Sequence, residues 1–475
     1  MSGTSEELDS LQRTILRTLA NDQLAPSELL KRLSGHMSKE TMFKNLRILA
    51  EKGIIQRNVD ESFRPPRVYY RAHQPHEGRF ENSYPPNVTG RSKETISLTN
   101  KEVARFQRLL ESMYLFLLVD QLPNGGWGKS INPELRKRYS PEKGEGSISS
   151  TSFAMKGILS FTGNSHHSAI KRARQFLAEH RKANGSYGPL ASLSVYESKY
   201  TITENCRHTA AATMASIELN DQTDSEIVQS IHFLLGHQKP DGGWGITSDL
   251  NIEDSDCITT AQVLRTLLLW VERGMKGNLD FGLVHAKILR GIGWLCEMQK
   301  GGFWIYDHNE TNKTQYTPFV LFMVPELERY APLIYERASM QLTDICKRSK
   351  GVPSSKGGSP HVGTTTAFIL AMNFGSSVNK HIVSEAIRNV LEFYDEGESL
   401  LPIESLTSAL VLELTRIEGL NIIPPKETIS KLDQVSADIV HKEEEIKNGQ
   451  IRLSNILPSK YAFLEKALTT SIKRI

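Results

Sequence analysis

Apolar residues recur at a helical period along most of this chain, and the places where the period breaks divide it into distinct stretches. In "LDSLQRTILRTL" they stand at Leu8, Leu11, Ile15, Leu16 and Leu19, which predicts a first helix. Pro26 and Ser27 suit the start of a second, short helix that ends at the turn "SGHM". A third starts at Ser38, an N-cap type, carries Met42, Leu46 and Leu49 as an inward stripe and stops at Gly53. The period then changes: "IIQRNV" and "RVYYRA" read as two strands flanking the charged turn "DESFRPPR". Residues 74–98 show no period and are rich in proline and polar types, the pattern of a linker. Apolar helices then alternate with glycine turns to about residue 424. Residues 425–475 are again helical in period, with Ile429, Leu432, Val435 and Ile439 on one side and a charge run from Lys442 to Lys447.

The glycine turns repeat. "DQLPNGGWGKS", "RKANGSYGPL", "HQKPDGGWGIT" and "EMQKGGFWIYD" each follow an apolar helix, with glycines at 125, 185, 242 and 301. A polar loop and a second helix opening on threonine and small residues follow each turn, as in "NCRHTAAATMASI" and "DCITTAQVLRTLL". Two further units, "SPHVGTTTAFILAM" and "PIESLTSALVLEL", have the helix without the aromatic turn. Each unit reads as a helical hairpin, and six make a closed or nearly closed ring. The aromatic glycine turn after a glutamine resembles the QW-type repeat of squalene cyclases and protein prenyltransferase β subunits, the α/α toroid. That resemblance implies the fold for residues 99–424 and not the chemistry, because such rings also serve as binding scaffolds. Trp127 and Trp244 are expected to pack over the next hairpin, a structural task.

Composition narrows the classes. A chain of 475 residues, 39% hydrophobic and 23% charged, has the balance of a globular protein with room for more than one domain. Its longest apolar run, "MYLFLLV", falls far short of the ~20 residues that span a bilayer, and no leader pattern opens the sequence, so a cytoplasmic protein is expected. Cys206, Cys257, Cys296 and Cys346 form no CxxC pair and read as thiols.

The net charge of +3 becomes informative only when it is located: residues 1–72 hold twelve Lys and Arg against nine Asp and Glu. Three helices followed by a two-stranded hairpin, with "TMFKNLRILAEKGII" as the third helix and first strand, resemble the winged-helix domains of bacterial and archaeal transcription regulators. The resemblance covers residues 1–73 and implies duplex DNA as partner. Lys39, Thr41, Phe43, Lys44, Asn45 and Arg47 would then face a major groove, and Arg64 and Arg67 on the wing would reach phosphate or a minor groove. Winged helices also dock proteins, and the basic excess is modest for phosphate neutralisation.

The acidic run ahead of "CITTAQVL" admits three readings. Aligning the inner helices sets Asn205 and Cys206 on Asp256 and Cys257, so Asp254, Asp256, Cys206, His208, Cys257 and His361 are candidates to meet at one end of the ring. In the first reading Asp254 or Asp256 is a catalytic acid, since "DSDCITTA" is similar to the Asp-x-Asp-Asp motif of class II terpene cyclases and its "SDC" to the acid motif of oxidosqualene cyclases. Against this, Cys257 replaces the last acid, two extra residues precede Thr260, and the 377 residues after position 98 suffice for one ring where those cyclases use two helical domains. In the second, Cys206, His208, Asp256, Cys257 and His361 supply zinc ligands, as an Asp, a Cys and a His do in protein prenyltransferases and two Cys and a His in lanthionine cyclases. The Asp-x-Cys spacing of the former and the "WC" and "CHG" motifs of the latter are missing. In the third, Asp254 or Asp256 caps the helix and the cysteines are small buried residues. The cap is the reading adopted, with no cofactor expected and zinc as the alternative.

Together these features predict a mainly α protein: a winged helix, a linker, a toroid of about six hairpins and a helical extension that seals the ring or pairs two chains. A DNA-binding regulator whose toroid senses an apolar ligand or a protein partner is the function expected. A prenyltransferase-like or cyclase-like enzyme with an accessory winged helix is the alternative, and a protein-binding scaffold the second.

Overall fold

The computed structural model describes residues 96–128, 146–188, 204–220, 224–246, 255–274, 279–304, 316–354, 358–374, 380–395, 405–417 and 424–472, with Leu420 and Ile422. In the N-terminal region it describes Met42, Asn45, Leu46 and two strands. The chain forms two compact units, residues 1–87 and 88–475.

In the first unit, β1 (Ile55–Asp60) pairs antiparallel with β2 (Arg67–Ala72), Ile55 opposite Ala72 and Asp60 opposite Arg67. This is the hairpin expected from the change of period. Met42, Asn45 and Leu46 are helical and buried. Asn45, three residues beyond Met42 and so on the flank of the apolar stripe, is 6% exposed. Lys39, Thr41, Phe43, Lys44, Arg47 and Arg64 lie outside the described residues, and of Arg67 only the backbone pairing is described.

The second unit opens with α1 (Asn100–Val119), started by a reciprocal cap in which Thr99 Oγ1 accepts from Glu102 N and Glu102 Oε2 accepts from Thr99 N. The helices that follow are α2 (Ile148–Thr162), α3 (Ser168–Glu179), α4 (Cys206–Leu219), α5 (Asp224–Gly236), α6 (Cys257–Glu272) and α7 (Phe281–Met298). Strands β3 (Gln299–Lys300) and β4 (Phe303–Trp304) form a short ladder. Then come α8 (Tyr316–Met323), α9 (Leu327–Tyr330), α10 (Pro332–Ser349), α11 (Val362–Phe374), α12 (Lys380–Asp395) and α13 (Ser405–Glu413).

Packing orders these helices into two layers. Each of α2, α4, α6, α8, α11 and α13 packs on the next, and α13 packs back on α2, so the inner layer is a closed ring. The outer layer sets α3, α5, α7, α10 and α12 against α2, α4, α6, α8 and α11, while α13 is covered by α1. The expected toroid is thus present and fully closed. Inner helices are buried nearly all round: in α4 every residue but Arg207 and Glu218 is buried.

One hydrogen-bond pattern recurs from hairpin to hairpin. The backbone N–H of Trp127, Tyr187, Trp244, Trp304 and Val352 donates to the hydroxyl of Thr151, Thr209, Thr260, Thr317 and Thr365, at 2.9 to 3.0 Å. Val352 shows that the fifth unit keeps the bond without the aromatic ring. The indoles of Trp127, Trp244 and Trp304 are fully buried and donate to Leu117, Leu234 and Leu295 carbonyls at 2.7 Å, which satisfies their only polar atom. Glycine is obligatory at 185, where φ is 83° and a Cβ would stand 2.6 Å from Ser230 N.

The C-terminal extension comprises α14 (Lys426–His441), α15 (Glu443–Lys447), two 3-10 turns and α16 (Glu465–Ile472). It packs on α1, and its Asp433 also reaches His167 at the start of α3, at 3.3 Å. Tyr114 on α1 donates to Asp433 at 2.6 Å and lies 2.9 Å from His167 Nε2, while Tyr461 and Lys460 donate to Glu111 at 2.6 and 3.0 Å. Within the inner layer the ring is closed by α13 on α2, with α1 over α13.

Candidate functional site

The inner helices start at one end of the ring, each behind a cap. The Oγ of Ser147, Oδ1 of Asn205, Oδ1 of Asp256 and Nδ1 of His361 accept from the N–H groups of Ser150, His208, Thr259 and Thr364 at 3.4, 2.9, 2.8 and 3.3 Å. Asp256 is therefore the cap of α6, in extended backbone and 6% exposed. Its remaining chemistry is fixed by a neighbour that the sequence reading passed over. Arg207, from the first turn of α4, donates through Nη2 to Asp256 Oδ1 at 2.9 Å and through Nε to Thr259 Oγ1 at 3.0 Å. Asp256 Oδ2 is buried without a hydrogen-bond partner.

Cys206 and Cys257 stand directly after their caps on adjacent inner helices, as the alignment predicts, and both are buried free thiols. Burial pushes Cys206 up to about 12 and raises Cys257 further, so both stay protonated. His361 directly precedes α11, three places around the ring from α4, and burial lowers its pKa. The five proposed zinc ligands, Cys206, His208, Asp256, Cys257 and His361, are all described, and no three of them form a group that could hold a metal ion. The ring sets His361 three places from α4, away from the other four at α4 and α6. Asp254 lies outside the described residues.

Deeper in the ring, six residues beyond the caps, Phe153 of α2 meets Phe319 of α8 with centroids 6.2 Å apart. These helices are opposite one another, so side chains close the lumen at this level. Below lies a charged network. Lys156, 4% exposed, is 3.2 Å from Glu218 Oε1 and 5.7 Å from the Phe153 centroid. Arg416 reaches Glu218 at 3.6 Å and Glu413 at 3.0 Å, and Arg265 reaches Glu326 at 3.1 Å. Burial acts to raise Glu218, but Lys156, Arg416 and Arg265 outweigh it and hold the carboxyl below its usual range. Burial raises Glu326 against the pull of Arg265. The signal for these residues was present in the sequence as single charges inside apolar helices, "SFAMKGIL" and "TAQVLRTLLLW".

The chain matches no protein-family model and no curated protein. Solved structures similar to it include the type II terpene cyclase MstE from Scytonema, at 16% identity over 67% of this chain and 99% of that one, with a TM-score of 0.45. A variant of that cyclase in complex with geranylgeranyl dihydroxybenzoate is similar at 13% identity over 68% and 99%, with a TM-score of 0.49. An alpha-amylase from Clostridium perfringens is similar at 12% identity over 65% and 97%, with a TM-score of 0.45. Likenesses this distant carry nothing about activity. Among the described residues no helix is long and apolar enough to cross a membrane.

Proposed function

We propose that this chain is a DNA-binding regulator in which a winged-helix unit reads duplex DNA and the toroid binds an apolar ligand without transforming it. The observation that carries the toroid's part is the Arg207–Asp256 pair. Asp256 Oδ1 is already engaged, accepting from Arg207 Nη2 at 2.9 Å and from Thr259 N at 2.8 Å, which is the arrangement of a helix cap held to its neighbour. Phe153, Phe319 and Met214 give the lumen an apolar wall at and just below the level of closure. The paired hairpin of β1 and β2 is compatible with a wing. The test is a band-shift assay of the full chain on duplex DNA at rising salt, with and without geranylgeraniol. A shift that weakens steeply with salt and responds to the alcohol is expected. Absence of a shift at low salt replaces DNA with a protein partner.

A cyclase-like enzyme is the second reading, and one observation favours it: Asp256 Oδ2 is buried and unpartnered at the mouth of the ring. Incubation with linear isoprenoid diphosphates and with squalene separates the two. Cyclic product made by the wild type and lost in Asp256→Asn would establish the enzyme.

A further inference from the structure

The glutamine of the repeated turn has a structural task. Gln121, Gln238 and Gln299 each donate through Nε2 to a backbone carbonyl of the following outer helix, that of Ala169, Lys287 and Ile334, at 2.8 to 2.9 Å. In the second unit the place belongs to Arg181, whose Nη2 donates to Glu226 O of α5 at 2.8 Å and so performs the same task. An amide is enough for that bond, and the positive charge of Arg181 is surplus to it. The charge is also unmatched. Arg181 is half-buried, its other bond, again from Nη2, goes to the neutral Gln229 Oε1 at 2.9 Å, and no carboxylate pairs with it among the described residues. Its Nε is buried without a partner. A guanidinium drawn part-way out of water against neutral acceptors alone costs stability unless an anion comes to it.

A cavity lies beside it. About 330 Å³ of space opens between the end of α3, the second turn, α4 and the start of α5, and Arg181 lines it together with Arg174 and Lys182. Those two cations and Glu226, the one acid in the wall, engage other groups as well. Arg181 is thus the cation left for a ligand. Leu177, Ala178 and Ala183 give the wall an apolar part.

We infer that this cavity binds a small organic phosphate, its phosphoryl oxygens accepting from the Arg181 guanidinium and its carbon body lying on Leu177, Ala178 and Ala183. A planar guanidinium suits an oxyanion that offers several acceptors at once. Inorganic phosphate alone would leave the apolar part of the wall bare. Neither Phe153 nor Phe319, which close the lumen, lines this cavity, and the inference does not depend on the ligand assigned there.

The experiment is equilibrium dialysis of the full chain against radiolabelled glycerol 3-phosphate, with ionic strength held constant by sodium chloride. About one molecule per chain is expected, with a Kd of about 1 mM or below. Arg181→Gln restores the residue of the other turns and keeps a donor for Glu226 O, so it should fold and bind about tenfold more weakly or worse. Absence of binding by the wild type up to about 10 mM overturns the site. Equal binding by the variant overturns it too, because the phosphate is then held elsewhere or by diffuse attraction. Should Arg181→Gln not fold, stoichiometry in the wild type decides. Saturation at about one per chain supports the site, and unsaturated uptake of several per chain overturns it.

Discussion

The two ends of the toroid are built on different principles. At the end where inner helices start, the hairpins of α2, α4 and α6 repeat the same device: a cap at the helix start, a threonine hydroxyl under an aromatic turn, a backbone bond from cap to turn. Its interactions are local and nearly interchangeable between repeats. At the other end, Lys156 pairs with Glu218 and Arg265 with Glu326 between neighbouring units, and Arg416, just past α13, reaches Glu218 of α4 across the closure of the ring. Repetition can lose one copy and keep the rest, whereas a single network has no spare member.

The comparison breaks most severely at Lys156. Lys156→Met leaves Glu218 only the more distant Arg416, and the expected loss is about 3 kcal/mol in urea unfolding, the low end for a broken buried pair. Adding Glu218→Gln should recover much of it, because the under-compensated charge is then gone. Acid sharpens the same point. Glu218 is held below its unfolded value, near 4.5, so its contribution is full above that pH and is lost as pH falls through the lower folded value. Glu218→Gln should flatten that part of the stability profile. A wild-type profile without such a fall below about pH 4.5 would contradict the assignment.

A smaller effect is expected in the repeated device. Thr260→Val removes the acceptor for the buried Trp244 N–H, at a cost of about 1–3 kcal/mol, and Thr151→Val should give a similar figure. Widely different losses would show that the repeats are not equivalent. Smallest of all is Asp256→Asn. The amide still accepts from Thr259 N, so the loss should stay within the ~0.5–2 kcal/mol of a deleted cap, measured by chemical denaturation.

The same contrast explains what could be read in advance. The caps, threonines and aromatic turns were legible because they depend on neighbours a few residues away, and Asp256 was correctly read as a cap from "DSDCITTA". Arg207 stood inside the aligned segment yet went unread, because its partner Asp256 is on the next inner helix. Alignment gives the level of His361 and only ring order gives its side, and no three of the residues proposed for zinc form a group among the described residues.

Closure by α1 over α13 has a kinetic side. In an open solenoid each repeat contacts only its neighbours, so an incomplete array is a shorter version of the whole. Here the last inner helix must find both α2 and α1, contacts that span most of the toroid's length. During synthesis the first five inner helices therefore emerge as an arc whose apolar flank, later covered by α13, stays bare until residues 405–413 arrive. Such an arc is slow to mature and open to edge-to-edge association, and a ribosome that stalls before α13 releases a sticky intermediate in place of a smaller working domain.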